Sequence, residues 1–191
     1  MSKRFALFAS AAFLAFAALS PAPLFADSMA EKTVNVGGAP MYPSKNIIQN
    51  AVNSKDHTTL VAAVKAAGLV DTLMSPGPFT VFAPVNKAFE KLPKGTVETL
   101  LKPENKNTLT AVLTYHVVPG KLSAQALKAR VQAGSGKAML TTVEGGKLTV
   151  MEAGRQLEII DAKGDKSLVT IADVNQSNGV IHVVDTVLLP K

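Results

Sequence analysis

Three histidines, two tyrosines and one glycine-rich stretch ending in lysine are the residues of this 191-residue chain best suited to chemistry. A histidine can serve as base, metal ligand or hydrogen-bond bridge, so its neighbours must decide among these roles. His57, His116 and His182 lie far apart, with no H-x-H or H-E-x-x-H spacing to bring two rings to one metal. Gly134-Ser135-Gly136-Lys137 has the outline of a phosphate loop. Such a loop needs a glycine five positions before Gly136, where Val131 stands, and a hydroxyl after the lysine, where Ala138 stands. The stretch reads instead as a polar loop before a strand. No G-x-S-x-G elbow occurs. From these spacings no catalytic residue, cofactor-binding residue or metal ligand is nominated, and no cofactor is expected.

The histidines differ in setting. His57 opens a helix and is expected to be solvated, while His116 follows Tyr115 at a strand entrance. His182 lies in Asn178-Gly179-Val180-Ile181-His182-Val183-Val184, a run that is apolar on both faces of a two-residue period. That pattern predicts a central strand. A ring buried there must bond its nitrogens to backbone or to a polar neighbour, so the predicted role is structural. Asn178-Gly179 is read as a tight turn that sets the register of this strand, on glycine's tolerance of positive φ. Met41, Tyr42, Tyr115 and His116 are residue types that ligate a haem or a metal, and an arm bearing the first two could fold over a cleft. The competing reading makes Met41 and Tyr42 apolar cover.

The elements that position these residues follow from periodicity. Lys3 and Arg4, an apolar run from Phe5 to Leu19 and Ser20-Pro21 have the layout of a secretory signal peptide over residues 1–26. Its apolar run is shorter than the roughly 20 residues a membrane span needs, and no second such run follows, so no span is expected in the mature chain. Residues 27–43 read as an extended arm. Helical spacing then begins near Ser44, and Asp56 is placed to cap a helix that Gly68 ends. Phe79-Thr80-Val81-Phe82 reads as a strand ending at Pro84, and Asn86 as the cap of a short helix. A helix over 108–114 leads into a strand at 115–118, and Ser123 caps the next helix with Leu122 and Leu127 as a hydrophobic staple. After Gly136 the period falls to two, giving hairpins about 144–146 and 163–165 and last strands at 180–184 and 186–189. Helices first and antiparallel strands after them indicate an α+β domain.

Composition narrows the function. Removing Lys3 and Arg4 from 20 basic residues leaves 18 against 14 acidic ones, a net +4 spread along the chain. With scattered lysines and no Trp, a nucleic-acid partner is not expected. The absence of cysteine rules out disulfides and thiolate sites, so packing must hold an exported fold.

Three segments carry a resemblance. Residues 79–93 (FTVFAPVNKAFEKLP), 113–122 (LTYHVVPGKL) and 178–190 (NGVIHVVDTVLLP) resemble, in order and spacing, the marker segments of the fasciclin-like domain family. The form as a whole is similar to small exported bacterial members. The resemblance places the domain at 44–191 and implies an α+β wedge or sandwich of two β-sheets with a layer of helices from the N-terminal half. It also implies that Phe79–Phe82 and Val180–Val184 are central neighbours. Phe79, Phe82, Pro84, Asn86, Asn178, Gly179 and His182 become structural motif residues. The implied function is non-catalytic: adhesion between cells, to extracellular matrix or to a host surface, by a periplasmic or secreted protein with a protein or glycan partner. In animal matrix members integrin binding is attributed to a Tyr-His segment and an Asp-Ile pair. Tyr115 and His116 occupy the first position and Asp173 and Val174 the second, with valine for isoleucine, and these four are the candidate partner-binding residues. The alternative function is a periplasmic small-molecule, haem or metal-binding protein.

Overall fold

The computed structural model describes residues 32–191. The signal peptide expected at 1–26 and the first residues of the arm lie outside the described residues. Within the rest of the arm, Val34–Val36 (β1) and Ala39–Met41 (β2) form an antiparallel hairpin about Gly37 and Gly38. Both glycines have positive φ, 59° and 78°, the conformation that a two-residue hairpin turn requires. Val36 and Met41 are buried against the helices, so the hairpin is part of the core's cover.

The helical half runs through Ile47–Ala51 (α1), Thr58–Ala67 (α2), Val70–Met74 (α3), Asn86–Glu90 (α4), Thr96–Leu100 (α5) and Lys106–Tyr115 (α6). Gly68 ends α2 with φ 73°, as its position predicts. The expected cap at Asp56 is not found, because a 3₁₀ turn at Lys55–His57 intervenes. Asn86 supplies the cap from another element. Its Oδ1 accepts from the Thr59 amide (3.1 Å) and the Thr58 hydroxyl (3.2 Å), while Nδ2 donates to the Lys55 carbonyl (2.9 Å). Expected to cap its own helix, Asn86 is instead the first residue of α4 and caps α2.

The strands are Phe79–Pro84 (β3), Val117–Pro119 (β4), Lys137–Thr141 (β5), Lys147–Ala153 (β6), Gln156–Ile160 (β7), Lys166–Gln176 (β8) and Gly179–Val184 (β9), with helix Ala124–Ala133 (α7) between β4 and β5. They form one seven-stranded sheet in the order β4-β3-β9-β8-β7-β6-β5, antiparallel except for the β3–β9 pair. The expected neighbours meet: Phe79 lies opposite Gly179, Phe82 opposite His182 and Pro84 opposite Val184. Strand β8 pairs with both β9 and β7, and its register shifts twice, between Val169 and Ile171 and between Ile171 and Val174. Such bulges bend a strand, so one long sheet supplies the two layers of the expected sandwich. Near closure, the Val143 amide just beyond β5 donates to the Val117 carbonyl of β4 (2.8 Å).

All six residues of β9 are buried because it separates two apolar clusters. Ile181 and Val183 face the helices with Leu60, Val64 and Leu113. Val184 faces the interior of the bent sheet with Phe82, Leu148 and Ile159. Each such side chain removed from water contributes about 1.5–3 kcal/mol. The strand expected at 186–189 does not form. Side chains take its amides instead: His116 Nε2 accepts from Leu188 (3.0 Å) and Asp161 Oδ2 from Leu189 (2.8 Å).

Candidate functional site

Strand β9 places the His182 ring beside Phe82, at 5.8 Å between centroids, with no exposed surface. Nδ1 accepts the Asp173 amide (3.3 Å), and Nε2 donates to the Leu122 carbonyl (2.8 Å). An amide can only donate, so Nδ1 is bare and Nε2 carries the hydrogen. Burial lowers the ring's pKa, against opposing contributions from the Leu122 carbonyl and the Asp173 charge. The imidazole is therefore a neutral bridge between a loop and a strand bulge.

Asp173 sits at that bulge with φ 58°. Its Oδ1 accepts the Ala124 amide at the start of α7 (2.7 Å), while Ser123 Oγ accepts the Ala126 amide (3.2 Å). Carboxylate and hydroxyl together satisfy free amides where the helix dipole favours negative charge. Thr80 Oγ1 donates to the Gly120 carbonyl (2.6 Å) and accepts the Leu122 amide (2.9 Å). The 119–124 segment is thus pinned to β3, β8 and β9 by three polar side chains, leaving Lys121, Ser123 and Asn175 exposed.

Tyr115 ends α6 and His116 caps it; the strand entrance expected at Tyr115 begins at Val117. His116 Nδ1 donates to the Val112 carbonyl (2.8 Å), one of the helix's open acceptors, and Nε2 accepts the Leu188 amide. Burial pushes its pKa down to about 4. The Tyr115 hydroxyl donates to the Lys147 carbonyl (2.8 Å) and accepts the Ala162 amide (2.9 Å), and burial raises the phenol's pKa. Of the four candidate partner-binding residues, Tyr115, His116 and Val174 are buried and Asp173 is half-buried with one carboxylate oxygen engaged. Their geometry is that of supports beneath a surface. The structure brings Asp173 to His182 and leaves the Tyr115–His116 pair in a separate bonding network.

Residues 55–190 match the Fasciclin domain family. The chain belongs to that family. It is 47% identical over 165 residues to Protein sll1483 of Synechocystis sp., covering 84% of this chain and 82% of that protein. It is 37% identical over 145 residues to Immunogenic protein MPB70 of Mycobacterium bovis, covering 73% and 66%. Among solved structures, a FAS1 domain pair from the insect cell adhesion molecule Fasciclin I superposes with TM-score 0.69 at 20% identity, over 84% of this chain and 58% of that one. That likeness shows the fold.

The turn expected at Asn178-Gly179 of this fasciclin domain forms at Ser177 and Asn178, between β8 and β9, but the reason for the glycine differs from its sequence reading. Gly179 does not have positive φ; a Cβ there would lie 2.1 Å from the Phe79 carbonyl oxygen, so glycine is required by the close approach of β3. Asn178 is a three-way clamp. Its Oδ1 accepts the Ile47 amide (3.1 Å), and Nδ2 donates to the Leu73 (2.8 Å) and Ser75 (2.9 Å) carbonyls. Thr80 was not singled out by sequence reasoning; a polar residue within the FTVF run was its signal.

His57 is a correction: expected in solvent, it is 3% exposed. Ser54 Oγ bonds its Nδ1 (2.9 Å), and burial lowers its pKa against the Ala83 carbonyl and the Asp56 charge. The four residue types considered for haem or metal ligation do not converge. Met41 and His116 line one cavity. Tyr115 lines a separate groove beside Asp161, and the Tyr42 ring lies under the Lys45 ammonium at 4.7 Å. Both His116 nitrogens are already bonded. Among the described residues no three His, Asp or Glu side chains are grouped to hold a metal ion, and no helix is long and apolar enough to cross a membrane.

Proposed function

We infer that the chain is an exported, non-catalytic binding module of the periplasm or cell exterior, attaching to a protein or glycan matrix partner. The observation carrying this reading is the use of polar side chains within the fold: His182, Asp173 and Thr80 spend their hydrogen bonds pinning the 119–124 segment and the β8 bulge. A rim held this way presents Lys121, Ser123 and Asn175 at little entropic cost on binding, which favours recognition over turnover. The family likeness supports the same reading, since one of its solved members comes from a cell adhesion molecule.

Beads coated with the protein test it, through their retention on surfaces bearing matrix proteins or glycans. The double variant Lys121→Glu, Asn175→Lys should reduce retention about tenfold, equivalent to about 1.4 kcal/mol, with an unchanged Tm. Equal attachment by cells with and without the protein, together with beads that are never retained, overturns the reading.

A further inference from the structure

The β5–β6 turn, the turn after β7 and residues 190–191 border an open groove of about 680 Å³. Small-ligand sites span about 300–1,000 Å³. Two side chains beneath this groove hold its frame. The Tyr115 hydroxyl ties the Lys147 carbonyl of β6 to the Ala162 amide. Gly146 rests on the same ring: a Cβ there would stand 2.7 Å from Tyr115 Cε2, so glycine lets the turn approach this closely. Asp161 Oδ1 accepts the Lys163 and Asp165 amides (2.9 Å each), and Oδ2 accepts the Leu189 amide. Tyr115 has no exposed surface and Asp161 is 6% exposed, so both support the groove from inside the fold.

The more exposed lining residues keep free polar groups. Among the described residues the ion pairs are Lys91–Asp185 and Lys166–Glu158, so the Lys147 and Lys191 ammonium groups are left without a carboxylate. The Thr149 hydroxyl makes no hydrogen bond among the described residues. Glu144 Oε2 accepts the Gly146 amide (2.9 Å), which leaves Oε1 as an open acceptor. Two cations call for an anionic ligand. A carboxylate oxygen only accepts, so Glu144 calls for a donor such as a hydroxyl, and Thr149 suits either partner. Pro190 and Ala162 supply apolar surface for the C–H face of a ring. A ligand that combines carboxylate, hydroxyls and an apolar face is an acidic sugar. A bare dicarboxylate would satisfy the lysines and bring Glu144 no donor.

We propose that this groove binds one or two uronate residues of an acidic polysaccharide, the carboxylates on Lys147 and Lys191 and the ring hydroxyls on Glu144 and Thr149. At about 30 Å³ for each water-sized group, the groove takes about 20 of them, close to the heavy atoms of a disaccharide. Because Tyr115 and Asp161 fix its frame in advance, little ordering opposes binding. The rim at Lys121, Ser123 and Asn175 is a different surface, and either reading stands if the other falls.

The test uses the intact protein labelled with ¹⁵N and digalacturonate as the probe. Maltose serves as the neutral sugar control and glutarate as the acid without hydroxyls. Digalacturonate should shift the Gly145, Lys147 and Thr149 amides saturably. Maltose and glutarate should each bind at least about fivefold more weakly, since each lacks one class of contact. Lys147→Gln should weaken digalacturonate about fivefold at an unchanged Tm, and added salt should weaken the wild type in the same direction. The rim variant Lys121→Glu, Asn175→Lys should bind digalacturonate as the wild type does. Shifts that grow linearly without saturation overturn the proposal. So does glutarate or maltose binding as tightly as digalacturonate, or binding that Lys147→Gln leaves unchanged.

Discussion

Acidification from pH 7.5 to pH 4.5 should weaken the fold through His116 before most carboxylates protonate. In the native state both its nitrogens are bonded to backbone and burial holds its pKa at about 4, against 6.5 for a free side chain. The unfolded chain therefore takes up a proton below 6.5 that the folded chain refuses until about 4. Because the unfolded state binds more protons in that window, stability is complete above it and declines as pH falls through it. The full shift corresponds to about 3 kcal/mol, of which about 2.5 kcal/mol is lost by pH 4.5. His57 and His182 have lowered pKa values and act in the same direction. Asp185 belongs to a lower range. Burial would raise its pKa, but the Leu168 amide, Lys91 and Thr186 overcome this and lower it, so its contribution is lost only as pH falls through the acidic carboxylate range. The assay is urea unfolding followed by far-UV circular dichroism, since the chain has no Trp. His116→Gln keeps an acceptor for Leu188 and removes the titration, so its pH dependence should be shallower by about 2.5 kcal/mol. A wild-type stability that is flat between pH 7.5 and 4.5, or a His116 ring that titrates near 6.5 by NMR, refutes the reasoning.

Gly179→Ala should abolish soluble folded protein or cost at least about 4 kcal/mol, because its Cβ would meet the Phe79 carbonyl oxygen at 2.1 Å; a near-native Tm would contradict this. His182→Ala leaves the Asp173 amide and the Leu122 carbonyl without their partner and should cost about 2–3 kcal/mol in urea unfolding. Loss of partner binding at unchanged stability would instead make His182 a contact residue. Asn86→Ala should cost about 1 kcal/mol and speed hydrogen exchange at the Thr59 amide, the bond by which it caps α2. Unaltered exchange there would remove that role.

Short-range regularities made much of the fold legible. An apolar run along 180–184 marked a strand buried on both faces, Gly68 marked a helix end, and Glu144-Gly145-Gly146 marked a hairpin, because each is a property of neighbouring residues. The hairpin about Gly37 and Gly38, in a segment that reads as an extended arm, was not marked. The α+β order of elements and the bridging role of His182 followed from the same local logic, as did the three segments that resemble the family. What the residue order could not disclose were bonds between distant elements. Asn86 caps a helix that begins 28 residues earlier in the chain. Tyr115 reaches Lys147 and Ala162, and His116 reaches Leu188, which turns a segment expected at a contact surface into an internal support. His57 passed for a solvated helix-start residue because nothing near it signalled that the β1–β2 hairpin would close over the cavity it lines. Periodicity along the chain determined which residues turn inward. Which polar group each of them meets was decided only by packing, since a hydrogen bond depends on separation in space and is blind to separation in sequence.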